Sequence, residues 1–171
     1  MPTHYAILRF GKIKTTSALA KIERHNERTL VNAPLNVDRK RVAENVLIDG
    51  DRSIPLHERI SNRIGKQKIR KNAVLAVEVF AGFSPGASVN IDAWKADTMH
   101  YIYDHFGRDN VVSAVLHMDE KTPHIQAVIV PIDTKGKLNC RSYLGGTTKM
   151  IALQDDYAKR MYTHGLSRGE Q

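Results

Sequence analysis

The sequence predicts an α+β domain built on a mainly antiparallel sheet. Two apolar runs, residues 110–118 and 124–132, are separated only by the polar "DEKTP", so they pair as a hairpin. Around it the elements run strand, helix, strand, helix, strand, helix, hairpin, helix. The 171 residues suit one domain with a sizeable core, and 42% hydrophobic content with mixed charge fits an ordinary globular chain.

"HYAILRF" (4–10) alternates as a strand, and "TTSALAKIERHNER" (15–28) has helical periodicity with Thr16 or Ser17 as N-cap. Residues 29–43 hold Pro34, two Asn and no clean period, which predicts a loop. "ENVLI" (44–48) is a short strand candidate. Ser53 and Pro55 open a helix over 53–71 that turns basic towards its end. "AVLAVEVFAG" (73–82) is Val-rich and alternating, hence a strand, and "FSPGASVN" (83–90) a loop. In 91–107, Ile91, Trp94, Met99, Ile102 and Phe106 share a broad helical face that Gly107 closes. "DTKGK" is a turn, "LNC" (138–140) a brief strand, and 147–165 a last helix starting at Thr and ending at Gly165. The polar "GLSRGEQ" reads as a domain boundary, so residues 1–171 are expected to be a single domain of a longer protein.

Net charge is +8, and its distribution is uneven. Residues 1–75 carry 16 Lys+Arg against 7 Asp+Glu, while 76–171 carry 10 against 11. A segregated basic half is either a solvated face or the footprint of a polyanion binder, nucleic acid being the commonest. No apolar run has the length of a membrane span and residues 1–10 lack the n- and h-regions of a signal peptide, so no membrane insertion is expected. The single cysteine, Cys140, excludes an intrachain disulfide and fits a reducing cytoplasm.

The hairpin concentrates chemistry in "HMDEKTPHIQ" (117–126). His124 and Gln126 are two apart on a strand and leave one face, while Ile125 points into the core. Antiparallel pairing can set His117 across from them. Two imidazoles, an oxygen donor and open positions suit a divalent cation such as Mn²⁺ or Mg²⁺. A structural zinc site would need four closed ligands, usually with cysteines. Asp119 and Glu120 sit in the turn beside this patch. The alternative is a polar hairpin tip with two surface histidines. "HNER" (25–28) ends the first helix, where His25 is either functional or simply favoured by the helix dipole.

Taken together these segments resemble the MobV-type relaxases, the Pre/Mob family of plasmid mobilisation and recombination proteins. The matching stretches are "YAILRFGKIK", "HNER", "DRSI" (51–54), "KIRKNAVL" (68–75), and "HMDEKTPH" followed by "VIVP", and they span nearly the whole chain in order. The resemblance implies the HUH-endonuclease fold, a five-stranded antiparallel sheet with helices packed on it. It implies strand-specific nicking of supercoiled plasmid DNA at an origin of transfer, with the enzyme held covalently on the 5′ phosphate before rejoining the ends. By position His25 is the family's histidine nucleophile, Glu120 its acidic partner, and His117, His124 and Gln126 the metal ligands. Where the family commonly has His-hydrophobic-His, this chain has His124-Ile125-Gln126, and a neutral amide oxygen replaces an imidazole.

In the mechanism that follows, Glu120 hydrogen-bonds the other ring nitrogen of His25. Lys12, Lys14, Arg28, Lys68, Arg70 and Lys71 contact DNA phosphates. The natural substrate is a supercoiled duplex, single strand or extruded hairpin. Conjugation machinery or a dimer partner would bind through a further C-terminal region. Rival readings remain. A rolling-circle initiator would use a tyrosine, the candidates being Tyr5, Tyr101, Tyr103, Tyr143, Tyr157 and Tyr162. A non-cleaving regulator would bind DNA without metal, and a hydrolase of small phosphates would leave the charge asymmetry unused.

Overall fold

A computed structural model describes residues 4–29 and 37–169. The elements are β1 (His4–Ile13), α1 (Thr16–Asn26), β2 (Val46–Asp49), α2 (Leu56–Ile64), β3 (Ala76–Phe83), α3 (Ile91–Phe106), β4 (Val111–His117), β5 (His124–Ile129), α4 (Cys140–Leu144), α5 (Thr147–Met161) and β6 (Leu166–Arg168). The sheet order is β2-β4-β5-β3-β1-β6. β2, β4, β5, β3 and β1 form an antiparallel set, and the expected hairpin is β4–β5.

The five-stranded antiparallel expectation needs correction. The sheet is six-stranded and mixed, because β6 lies parallel to the start of β1, with Leu166 opposite His4. "GLSRGEQ" is therefore not simply a boundary. Gly165 takes a left-handed conformation (φ 75°), which turns the chain and seats the fully buried Leu166 against the sheet. A three-residue strand is too short to show a period.

Other differences are local. The N-cap of α1 is Thr15, whose side chain accepts from the Ala18 N–H. α2 covers only part of the expected 53–71 helix, because Gly65 at φ 72° stops it and its N–H bonds back to Ser61. "LNC" is not a strand. Leu138 makes an isolated bridge to Ile132, and Asn139 then caps α4 by accepting from the Ser142 N–H. Of the loop expected over 29–43, residues 30–36 lie outside the described residues, and 39–44 form a 3₁₀ helix.

The sheet has two unlike faces. On one, Val77, Val79, Ala81, Ile125, Ala127 and Ile129 pack against α3 and α5, with Trp94, Tyr101, Ile102 and Phe106 at the centre. On the other, α1 and α2 cover one end: Leu19, Leu56 and Ile60 pack on Ile13, Ala76, Val128 and Val130. His124 and Gln126 share this second face with Val128 by strand alternation, towards the other end.

Candidate metal and nucleophile centre

The hairpin register sets His117 directly opposite His124, and Gln126 opposite Val115 and Phe80. The two imidazole centroids are 5.1 Å apart. His25, on the last turn of α1, brings its ring to 5.8 Å from that of His117. α1 thus lies over the sheet so that its C-terminal turn meets the hairpin end.

Each of the two histidines has one ring nitrogen committed and one open, and Gln126 adds an open oxygen. The second nitrogen of His117, Nε2, is 3.1 Å from Asn26 Oδ1, an acceptor, so Nε2 carries the proton and the Nδ1 lone pair is open. His117 Nδ1 is buried and has no hydrogen-bond partner. His124 Nδ1 donates to the Thr122 carbonyl at 3.1 Å, which leaves its Nε2 lone pair free to ligate. Gln126 Oε1 is likewise buried and unpartnered. Buried acceptors without donors are costly, and a cation among them would satisfy them. The residues therefore fit a divalent metal. Among the described residues no three His, Cys, Asp or Glu side chains gather as a metal group, so the set rests on two imidazoles and an amide oxygen.

Gly82 makes the arrangement sterically possible. A Cβ there would meet His124 Cβ and the Phe80 ring, each at 3.3 Å. Phe80 in turn stacks on the His124 imidazole with centroids 4.9 Å apart, which fixes that ring's plane.

Arg28 organises the rest. It lies at φ 57°, so the chain leaves α1 through a left-handed residue and the guanidinium turns back under the site. Its Nε and Nη2 donate to both Asp119 oxygens at 2.8 and 2.6 Å, and Nη2 also reaches Glu120 Oε1 at 2.8 Å. Nη1 donates to the His25 carbonyl at 3.2 Å and lies 3.4 Å from His25 Nε2. Arginine only donates, so His25 Nε2 accepts and Nδ1 carries the proton. Burial of Asp119 pushes its carboxyl upward, but the Arg28 bonds and charge outweigh this and hold it below the usual range. Burial, then the Arg28 charge, lower the His25 pKa, so its imidazole is neutral at pH 7. Burial pushes His117 down to about 3, with Arg28 contributing.

One expectation changes. Arg28, expected on DNA, is an internal clamp with 8% of its side chain exposed. Glu120 bonds Arg28, which contacts the His25 ring, and lies 3.8 Å from His124 Nε2. Sequence reasoning missed the part played by Asn26 as a partner of His117, although it sits inside a quoted motif, and it placed Asp119 beside the site without identifying Arg28 as its partner.

Of the other cations, Lys12, Lys68 and Arg70 do converge. They line one cleft of about 470 Å³, together with Arg141, which was not foreseen. No acidic residue lines it, and none of the four cations has an ion-pair partner among the described residues. Lys14 and Lys71 are exposed neighbours that do not line it. Lys12 is level with Ile129 through Val77, five residues along β5 from His124, or roughly 17 Å.

Four of the six tyrosines face away from the site. Tyr101 donates to the Leu153 carbonyl, Tyr157 bonds Thr98, Tyr103 donates to Asp49, and Tyr143 to the Ile132 carbonyl. Tyr5 and Tyr162 are exposed.

Among curated proteins the chain is 35% identical over 175 residues to the 65 kDa protein of Zymomonas mobilis, covering 97% of this chain and 30% of that protein. It is 26% identical over 178 residues to plasmid recombination enzyme type 1 of Staphylococcus aureus, covering 96% and 44%. The chain thus spans less than half the length of these relatives. Among solved structures it resembles the MobM relaxase domain, Mn-bound and in complex with plasmid pMV158 oriT DNA, at TM-score 0.85 and 26% identity, covering 97% of this chain and 90% of that one. No helix among the described residues is long and apolar enough to cross a membrane. The family model for plasmid recombination enzymes, Mob_Pre, matches residues 3–171, and the chain belongs to that family.

Proposed function

We propose that residues 1–171 act as a single relaxase domain that nicks one strand of plasmid DNA at an origin of transfer, remains on the 5′ phosphate through His25, and rejoins the ends. The observation that carries this reading is the cluster of open acceptor atoms on His117, His124 and Gln126 beside a neutral His25 whose ring is aligned by Arg28. The similarity to a Mn-bound domain in complex with oriT DNA supports it.

His117, His124 and Gln126 would hold the divalent metal, Mn²⁺ or Mg²⁺. When bound, it supplies Lewis-acid polarisation of the scissile phosphate and offsets transition-state charge. His25 attacks phosphorus through Nε2, whose lone pair is freed for attack when Arg28 Nη1 gives up its 3.4 Å hydrogen bond, while Nδ1 keeps the proton. The new N–P bond forms as the P–O3′ bond breaks, and the departing 3′ oxygen takes a proton from solvent water. The imidazole becomes cationic as it bonds. Asp119 and Glu120, joined to the ring through Arg28, balance that charge without ionising anew. The phosphoramidate keeps the energy of the phosphodiester, so attack by the 3′ hydroxyl reseals the strand without ATP. Lys12, Lys68 and Arg70, flanked by Lys14 and Lys71, hold phosphates away from the cut. Such a substrate, supercoiled plasmid or an extruded hairpin, would be met in the cytoplasm.

The test is the covalent adduct. Supercoiled plasmid carrying the cognate origin, incubated with Mn²⁺, should give a nicked product joined to protein, and EDTA should prevent it. A second reading keeps the fold and replaces the nucleophile with Tyr5. That exposed residue is on β1 and shares its outward face with Arg9, which lies over Phe80. Acid stability separates the two, because a phosphoramidate hydrolyses in acid and a phosphotyrosine does not.

A further inference from the structure

One half-buried titratable group has no part in this chemistry. Glu78 is at the centre of β3, on the same face as Phe80 and Gly82 and therefore as the His124–Gln126 patch. It pairs across the sheet with Val128 on one side and Gly11 on the other. It is diagonal to Gln126, roughly 7–8 Å between backbones. Among the described residues its carboxylate has no ion pair and no hydrogen bond, and burial pushes its pKa up. A half-buried carboxylate without a partner is costly in a strand centre, where valine or threonine would serve the fold better.

The surroundings point to a ligand. The exposed Gly11 contributes no side chain opposite Glu78, and a Cβ there would come no closer than 3.9 Å to anything but its chain neighbours, so Glu78 is uncovered on its β1 side, while Val128 on the other side lies under α1 and α2. Beside it Arg9 Cζ lies 5.8 Å over the Phe80 ring, itself stacked on His124. An aromatic and a cationic side chain thus stand beside one acceptor on the same sheet face. Phosphate would be repelled by that acceptor. A base would stack on these side chains and present its edge to the acceptor.

We infer that Glu78 reads a base of the bound strand, accepting a hydrogen bond from an exocyclic amino group as the strand crosses β1 and β3 beside the nick. This rests on the reading of this face as the DNA-binding face, and it assigns a specificity-determining residue to it. Cytosine, adenine and guanine carry such an amino group; thymine does not, and its one edge donor, N3–H, lies between two carbonyl oxygens that a carboxylate repels, so thymine is the base excluded.

The experiment is selection from a fully randomised single-stranded DNA pool with wild-type protein, Glu78→Gln and Glu78→Ala, each with Mn²⁺. Wild-type protein should enrich a motif with one position from which thymine is depleted about tenfold. In Glu78→Ala that position alone should accept thymine, and in Glu78→Gln thymine should be tolerated because an amide can donate to its O4. Thermal midpoints serve as the folding control, and the near-isosteric Glu78→Gln should melt no lower than wild type. An identical motif in all three proteins would overturn the inference, as would a loss of affinity spread evenly over every position. The selection reads binding alone. Failure of the nicking proposal would instead appear as a wild-type motif strand that binds and never forms an adduct.

Discussion

The two faces of one sheet obey different rules. On the α3–α5 face, Trp94, Tyr101, Ile102, Phe106, Ile125 and Ile129 fill the core, and the tyrosine hydroxyls find partners inside the protein. On the α1 face, two unpartnered acceptors lie at neighbouring positions of one hairpin, with a third lone pair on His124 beside them. Adjacent strands of identical geometry thus carry both arrangements. Alternation alone separates them, Ile125 to the core and His124 and Gln126 to the site. The difference teaches where stability and where chemistry reside: a side chain's face, more than its depth, decides which one a substitution disturbs.

The sharpest way to break this comparison is His25→Ala. It should abolish the adduct and lower nicking by on the order of 10⁶-fold, as for removal of a nucleophile elsewhere. Stability should change by no more than ~1 kcal/mol, because the ring is half-buried and not part of either apolar core. A large loss of stability in a melting experiment would mean that the site is structural.

Next come two neighbours. Ile125→Ala, at a fully buried position, should cost ~2–5 kcal/mol in denaturant unfolding and leave Mn²⁺ affinity of the folded protein unchanged. Gln126→Leu should do the reverse. It removes a buried acceptor without a partner, so the metal-free protein should melt no lower, while Mn²⁺ affinity by calorimetry falls ~10–100-fold. Equal stability losses at both positions would erase the distinction between the faces.

Acid should affect the α1 face first. The His117 imidazole is pushed down to about 3 in the fold and titrates near ~6.5 when unfolded, so the unfolded chain takes up the proton first. Metal-free stability is then fully present above ~6.5 and declines as pH falls from there towards about 3. His117→Gln should flatten that part of the stability curve.

The smallest effect is expected farthest from the centre. Lys68→Ala, in the basic cleft, should weaken binding of all single strands alike and reduce the salt slope by ~0.7 without altering the nick position. A shifted nick would place the cleft in strand reading.

The sequence shows most where the signal is local. The β4–β5 hairpin, its facing histidines and the helix carrying His25 all follow from short spacing and strand alternation, which fold in the same way wherever they occur. Arg28 was assigned to DNA because a cation beside a candidate nucleophile looks free in one dimension. Its partners Asp119 and Glu120 are 91 and 92 residues away, and only the packing of α1 over the hairpin joins them. Asn26 was obscure for the same reason, since its partner is His117. Lys12, Lys68, Arg70 and Arg141 form one cleft through tertiary contact that no spacing encodes. The sixth strand was missed because three residues carry no period, and Gly65 ended α2 early despite a helical composition beyond it.

The measurement that bears most directly on the central claim is the identity of the linked residue. Protein should be incubated with Mn²⁺ and origin-bearing supercoiled DNA, digested, and the DNA-linked peptide sequenced by mass spectrometry before and after mild acid. The account predicts a nucleotide on His25 that is lost in acid and never formed in EDTA. An acid-stable nucleotide on Tyr5 would contradict it.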